Sequence, residues 1–389
     1  MLKNSGTRLF TAFLGYAILI ILLLTLNPFY FSLPGKIFIK MRSSRLDLIQ
    51  NLLLFLPVGF FYRMTTGRRD AFLLGATLSF GIETLQLFIP ARTTNFIDFL
   101  ANTLSAGLGA GMYDLFSRQI TLTSGTVSRF RLETPLMGLT YMLLPLLWSN
   151  TLALDESPYH WLLSLLIGIC GAIILSELFR HWWERVNSKI MVYASLAAGV
   201  WFLLGAGLGM LRFHSLWLVG LSVMVLTAIL TTLPRRLQER RFEQNTLRRL
   251  LPVFVIYLLA LALGAQSRPF GPWHAYFGLT DRVTDESLYL LNSRIEYLAA
   301  FTVLGYLIAE WRGRLELSLS RDLPRLLLMA SAAALLFEIL SGFQRGQGAS
   351  LVRFILAVLG AGFGGLIYHL SRDQIRHLLD RTSRIPPAA

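Results

Sequence analysis

Charge is scarce in this 389-residue chain: Asp, Glu, Lys and Arg make up 15% of it, against 54% hydrophobic residues. A soluble domain carries about a quarter charged residues to keep its surface in water. Most of this chain's surface therefore has to face something else. Cysteine is rarer still. Cys170 is alone, which excludes an intrachain disulfide and any cysteine-based metal site. The six histidines fall in separate loops and span ends. Glu177 and His181 lie one helical turn apart, but two ligands do not define a metal site. No phosphate-binding Gly-Lys motif and no nucleophile elbow occurs, so the sequence indicates no cofactor, metal or enzyme class. A soluble basic domain is missing as well. The net charge of +14 therefore points to the loops of a membrane protein rather than to nucleic acid.

What the chain does have is long apolar runs. About 20 apolar residues cross a bilayer core as a helix, and about twelve such runs are present. They cover Leu9 to Phe31, Leu46 to Tyr62, Ala71 to Ile89, Phe96 to Phe116, Pro135 to Leu154 and Tyr159 to Phe179. The rest cover Ile190 to Leu211, Leu216 to Leu233, Leu250 to Ala265, Leu288 to Trp311, Leu323 to Phe343 and Leu351 to Leu370. The first run exceeds a signal-peptide core and no small-residue cleavage site follows it, so it reads as a retained helix. Most of the 36 Lys and Arg fall in alternate loops, which predicts cytoplasmic N- and C-termini in a cell membrane. The first outer loop, with Lys36, Lys40, Arg42 and Arg45, departs from that rule. The expectation is an all-α, polytopic transmembrane bundle.

Within it lies a repeat. The displacement that carries Glu83 onto Glu338 also carries Gly107, Gly109, Tyr113 and Leu115 onto Gly362, Gly364, Tyr368 and Leu370. Upstream, "PVGFF" at Pro57 to Phe61 resembles "VLGYL" at Val303 to Leu307, and "NPF" at Asn27 to Phe29 resembles "RPF" at Arg268 to Phe270. The shared order predicts an internal duplication of a four-helix unit. Residues 1–116 and 250–389 would be the copies, and 117–249 central helices. The glycine stripes, Gly107, Gly109 and Gly111 in one copy and Gly360, Gly362, Gly364 and Gly365 in the other, are expected to let helices pack closely.

Polar side chains inside spans are costly and normally face a bundle interior or a water-filled cavity. Here they recur at helical spacing: Asp47 with Asn51, Glu83 with Gln86, Asp98 with Asn102. With the N-terminus inside, all six lie near the outer face, beside Arg45 and Arg92. They are expected to share one outward-opening pocket. The bland alternative is a set of interhelical bonds that locks the bundle. In the second copy Glu338 and Arg345 answer to Glu83 and Arg92, while Arg353, Ser341 and Ala357 replace Asp98, Gln86 and Asn102.

The stretch "LDLIQNLLLFLPVGFF" followed by "FGIETLQLFIPARTTNFIDFLANTLSAGLGAGM" resembles the VanZ-like family. Asn51, Glu83, Gln86, Arg92, Asp98 and Asn102 carry the resemblance, over roughly the first 116 residues. It implies a multi-pass membrane protein of the cell envelope; the family's namesake is linked to reduced susceptibility to teicoplanin. Three classes of function are open. In the first, a non-enzymatic envelope protein binds an anionic lipid or lipid-linked head group through Arg45 and Arg92, with the acids and amides shaping the pocket. The second is an enzyme on a lipid-linked substrate with Glu83 or Asp98 as base. The third is a transporter in which Glu83 and Glu338 carry protons.

Overall fold

The computed structural model describes residues 3–27, 29, 31–34, 39–67, 70–90, 92–119, 124–151, 158–182, 188–233, 242–263, 271–277, 287–313, 317–343 and 348–382. These residues form twelve α-helices, each overlapping one of the expected apolar runs. In the first part of the chain they are α1 (Lys3–Leu26), α2 (Arg45–Thr66), α3 (Ala71–Gln86), α4 (Phe96–Gln119), α5 (Ser124–Thr151) and α6 (Pro158–Trp182). The others are α7 (Ser188–Arg212), α8 (Ser215–Thr232), α9 (Phe242–Leu263), α10 (Ser287–Arg312), α11 (Leu319–Gly342) and α12 (Leu351–Thr382). Seven of them, α1, α2, α6, α7, α8, α11 and α12, contain a stretch long and apolar enough to cross a membrane. The molecule is an all-α membrane protein. Its outward surface is correspondingly apolar. On α4, Phe96, Leu100, Leu104, Leu108, Met112 and Leu115 are exposed along one face at helical spacing. Such a face is stable only against lipid or another apolar surface.

Two short parallel strand pairs, which the apolar pattern did not announce, join the helices. Strand β1 (Ile39–Lys40) pairs with β2 (Thr94–Asn95), Ile39 opposite Thr94. Strand β3 (Ala275–Tyr276) pairs with β4 (Ala349–Ser350), Ala275 opposite Ala349. The two runs of backbone that enter α4 and α12 thus obtain partners for their peptide groups, which a membrane environment requires.

The chain divides into two compact units. The first contains α1 to α4. Ala17, Ile21 and Leu26 of α1 pack with Phe55 and Val58 of α2, Ile82 of α3 and Ile89. Helix α2 opens with a capping box. The Ser44 hydroxyl accepts from Asp47 N at 3.1 Å and the Asp47 carboxylate accepts from Ser44 N at 3.3 Å, so two of the helix's unpaired donors are satisfied. The helix ends at Gly67 in the left-handed region, φ 69°. Between these ends α2 lies backbone to backbone on α4. A Cβ at Gly59 would stand 1.7 Å from Ala106 O, and one at Gly109 would stand 2.0 Å from Leu56 O. The glycine stripe needs correcting in detail. Gly109 makes the close approach, but a Cβ at Gly107 would come no nearer than 3.9 Å to Phe72, and Gly111 faces open space. Small size is required on the face toward α2, which includes Gly109 and excludes its two neighbours in the stripe.

The second unit holds most of α5 to α12. Helix α6 is packed by α7, α8 and α9, with Gly168 against Val223 and Gly171 against the Trp201 ring. Arg180 donates to Leu233 O at 2.6 Å, which satisfies a carbonyl at the end of α8. Helices α10 and α12 touch as α2 and α4 do. A Cβ at Gly305 would stand 2.2 Å from Ala361 O, and one at Gly364 would stand 1.9 Å from Thr302 O. Even the ring contacts correspond: Phe60 meets Tyr113 edge-on at 5.6 Å, and Tyr306 meets Tyr368 edge-on at 5.6 Å.

Candidate functional site

The polar residues of the first unit part into two groups, although the sequence placed them in one. Gln86 and Arg92 belong to a clamp on the end of α1. Gln86 Nε2 donates to Thr25 O at 2.9 Å. Arg92 Nε donates to Asn27 O at 3.0 Å and its Nη2 to Leu24 O at 2.9 Å. A helix leaves its last carbonyls without intrahelical donors, and these two side chains supply them. Burial draws the Arg92 guanidinium below its ordinary pKa. Where the sequence reading expected Arg92 to meet an anionic ligand, the structure gives its Nε and Nη2 to the backbone at the end of α1 and the Asn27 turn, where Phe29 is held at φ 62°.

The second group does converge. Glu83 projects from the last turns of α3 and is 8% exposed. Its Oε2 accepts from Asn95 N at 2.8 Å, while its Oε1 has no partner among the described residues. Thr94 Oγ1 donates to Glu83 O at 3.0 Å, so the β2 strand is tied to α3 at both main chain and side chain. Asn95 precedes α4 as its cap, its Oδ1 accepting from Ile97 N at 3.1 Å, and its Nδ2 reaches Arg42 O at 3.1 Å. In the first turn of α4, Asp98 accepts from Ser43 Oγ at 2.8 Å. The Asn51 and Asn95 amides are its further hydrogen-bonding neighbours, and Asp47 and Glu83 are within electrostatic reach. One layer deeper, Asn102 Nδ2 donates to Ser79 Oγ at 3.0 Å. Asn102 Oδ1 is buried without a partner among the described residues. Asp47 sits at the entrance, occupied with the capping box. Lys40, Arg42 and Arg45 are exposed beside it.

The result is a polar site built from three helix ends and one strand. It holds the carboxylates of Glu83 and Asp98, the amides of Asn51, Asn95 and Asn102 and the hydroxyls of Ser43, Ser79 and Thr94, with exposed Lys40, Arg42 and Arg45 at its edge. Ser43, Ser79 and Asn95 were missed by the sequence reading. Asn95 had left a signal, a capping residue type directly before an apolar helix. The serines had none, since only the fold brings them near an acid or an amide.

In α9 to α12 a second buried glutamate, Glu338, is closed off. Ser350 N donates to Glu338 Oε2 at 2.7 Å, as Asn95 N does to Glu83. Arg353, standing where the first unit has Asp98, donates Nε to Glu338 Oε1 at 3.2 Å and Nη2 to Oε2 at 2.9 Å. Its Nη2 also donates to Gly348 O, and its guanidinium lies 5.2 Å from the centre of the Tyr297 ring. Tyr297 OH in turn meets Ser341 Oγ at 3.2 Å. Glu338 and Arg353 are 5% and 3% exposed. The expected Arg345 lies outside the described residues. A separate half-buried carboxylate, Glu296, accepts from Tyr257 OH at 3.0 Å, with Asn150 nearby; nothing in the sequence linked these three positions.

No group of three or more metal-ligating side chains occurs among the described residues. No curated protein and no solved structure matches the chain. The VanZ/LLP1 family model, however, matches residues 8–117, the span that carries α1 to α4 and the whole of the Glu83–Asp98 site, so the N-terminal unit of this membrane protein is VanZ-like.

Proposed function

We propose that the VanZ-like unit is a non-enzymatic receptor in the cell membrane for the polar head of an envelope lipid or lipid-linked molecule. The observation that carries the reading is the convergence of Glu83, Asp98, Asn51, Asn95 and Ser43 at one end of the bundle, with Glu83 Oε1 left open. Polar groups at such depth are expensive unless they serve a ligand or one another, and here one carboxylate oxygen serves no other side chain. With cytoplasmic termini, the site opens outward. Exposed Lys40, Arg42 and Arg45 would then meet the phosphate of a head group, Arg as a bidentate donor. Catalysis needs a nucleophile and a base within reach of each other; the hydroxyl beside Asp98, that of Ser43, donates to the carboxylate, while those of Thr94 and Ser79 are engaged with Glu83 O and the Asn102 amide, which favours binding over turnover.

The same reading treats α9 to α12 as a second, altered copy of the unit, with the boundaries 1–116, 117–249 and 250–389. Supporting it are the paired strands, the glycine contacts, the ring pair and the carboxylate-to-strand bond, all recurring in the same order. The test is to purify the full chain from membranes and identify the bound lipids by mass spectrometry. An envelope lipid that is enriched on the native chain and lost from Glu83→Gln supports the receptor reading. Equal lipid content in both sinks it.

A further inference from the structure

Resting on that reading, we infer that the group entering the first unit's pocket is a cation, a primary ammonium or guanidinium. In the last four helices Arg353 fills the same place from within the chain. The two sites share a frame. In each, a glutamate near the end of the third helix accepts a main-chain N–H from the strand residue that precedes the fourth helix, at 2.8 Å for Glu83 and 2.7 Å for Glu338. In each, the next position on that helix facing the glutamate is ionisable, Asp98 or Arg353. The sign of that residue differs, and the charge balance differs with it.

At the second site the glutamate is neutralised by a guanidinium on both of its oxygens, under the Tyr297 ring, which is a favourable face for a cation. At the first site two acids stand together and no described cation touches either. Arg92, the nearest arginine in sequence, is bound to the α1 carbonyls. Glu83 is 8% exposed and keeps Oε1 open, and the buried Asn102 Oδ1 is a second unpaired acceptor one layer below. A buried carboxylate with no counter-charge is unfavourable; a ligand that brings its own positive charge removes the cost. The acceptors left open, Glu83 Oε1 and Asn102 Oδ1, with the Asp98 charge beside them, suit a group that is all donors, as an ammonium is. With the basic rim, the complete ligand is zwitterionic: an ammonium inside and a phosphate at Lys40, Arg42 and Arg45. An aminated phospholipid and a free phosphorylated amine share that chemistry.

The experiment reconstitutes the full chain in nanodiscs of phosphatidylethanolamine or of phosphatidylglycerol and measures thermal stability and lipid retention. Soluble phosphoethanolamine and glycerol phosphate are added in parallel. The native chain is compared with Glu83→Gln and with Asp98→Arg, the latter copying the second site. The expected result is at least tenfold preference for the amine-bearing lipid, lost in both variants. Asp98→Arg should at the same time raise the melting temperature, which shows that it folds. Retention of phosphatidylglycerol that Glu83→Gln abolishes would overturn the cation assignment and leave the receptor reading standing. Indifference of both lipids and both soluble probes to both variants would overturn the two together. A response to soluble phosphoethanolamine without lipid preference would support the cation and overturn the lipid as its source.

Discussion

Replacing Arg92 by alanine removes the donors that hold Leu24 O and Asn27 O. Each buried acceptor left unsatisfied costs about 1–3 kcal/mol. Arg92→Ala is expected to lower the melting temperature of the purified protein and to loosen the end of α1, measured by hydrogen exchange at residues 24–29. Its effect on lipid retention should follow stability and not head-group charge. Arg353 gives the opposite contrast. It and Glu338 are almost fully buried as a bidentate pair, so Arg353→Ala strands a carboxylate and should cost roughly 3–5 kcal/mol. The double variant Glu338→Gln with Arg353→Met is expected to recover most of that loss in a thermal melt, because no uncompensated charge remains. Residue types were legible in the sequence; partners were not. Arg92 and Asp98 are six positions apart on the same stretch, yet one turns to α1 and the other to Ser43, and nothing in their spacing distinguishes the two.

Among the elements, α2 and α4 are held at backbone contact by Gly59 and Gly109. A Cβ at either position would overlap a carbonyl oxygen that cannot move without shifting its helix. Gly109→Leu is therefore expected to prevent accumulation of folded protein in the membrane, whereas Gly111→Leu should be tolerated within experimental error because open space surrounds it. Fluorescence-detected size exclusion of the two variants makes the comparison. The helices themselves were readable from apolar length alone, as α2 and α9 show despite being the shortest runs expected: α2 extends over 22 residues, Arg45 to Thr66, its start set by Ser44 and Asp47. The strands β1 to β4 could not be read. Two-residue strands have no periodicity, and their pairing joins segments far apart in the chain.

For the whole molecule, the native chain offers its own test of orientation. Cys170 is the single cysteine and is fully buried, so it should stay silent toward a membrane-impermeant maleimide. Arg42→Cys is expected to label in intact cells and Ser383→Cys only after permeabilisation. Labelling of the reverse pattern would place the pocket on the cytoplasmic side and remove any extracytoplasmic ligand from consideration.

The sequence by itself determined that this is an all-α membrane protein, where its helices run, and that ionisable groups fall within its apolar runs, because transfer of side chains into an apolar medium depends on composition and length. Only the tertiary structure decided which groups meet. Whether a carboxylate ends beside a guanidinium, a serine or an open space depends on how helices from distant parts of the chain abut, and that is set by packing at a few contacts such as Gly59 on Ala106. From this follows the division of the predicted site into a clamp on α1 and an acidic cluster around Glu83 and Asp98.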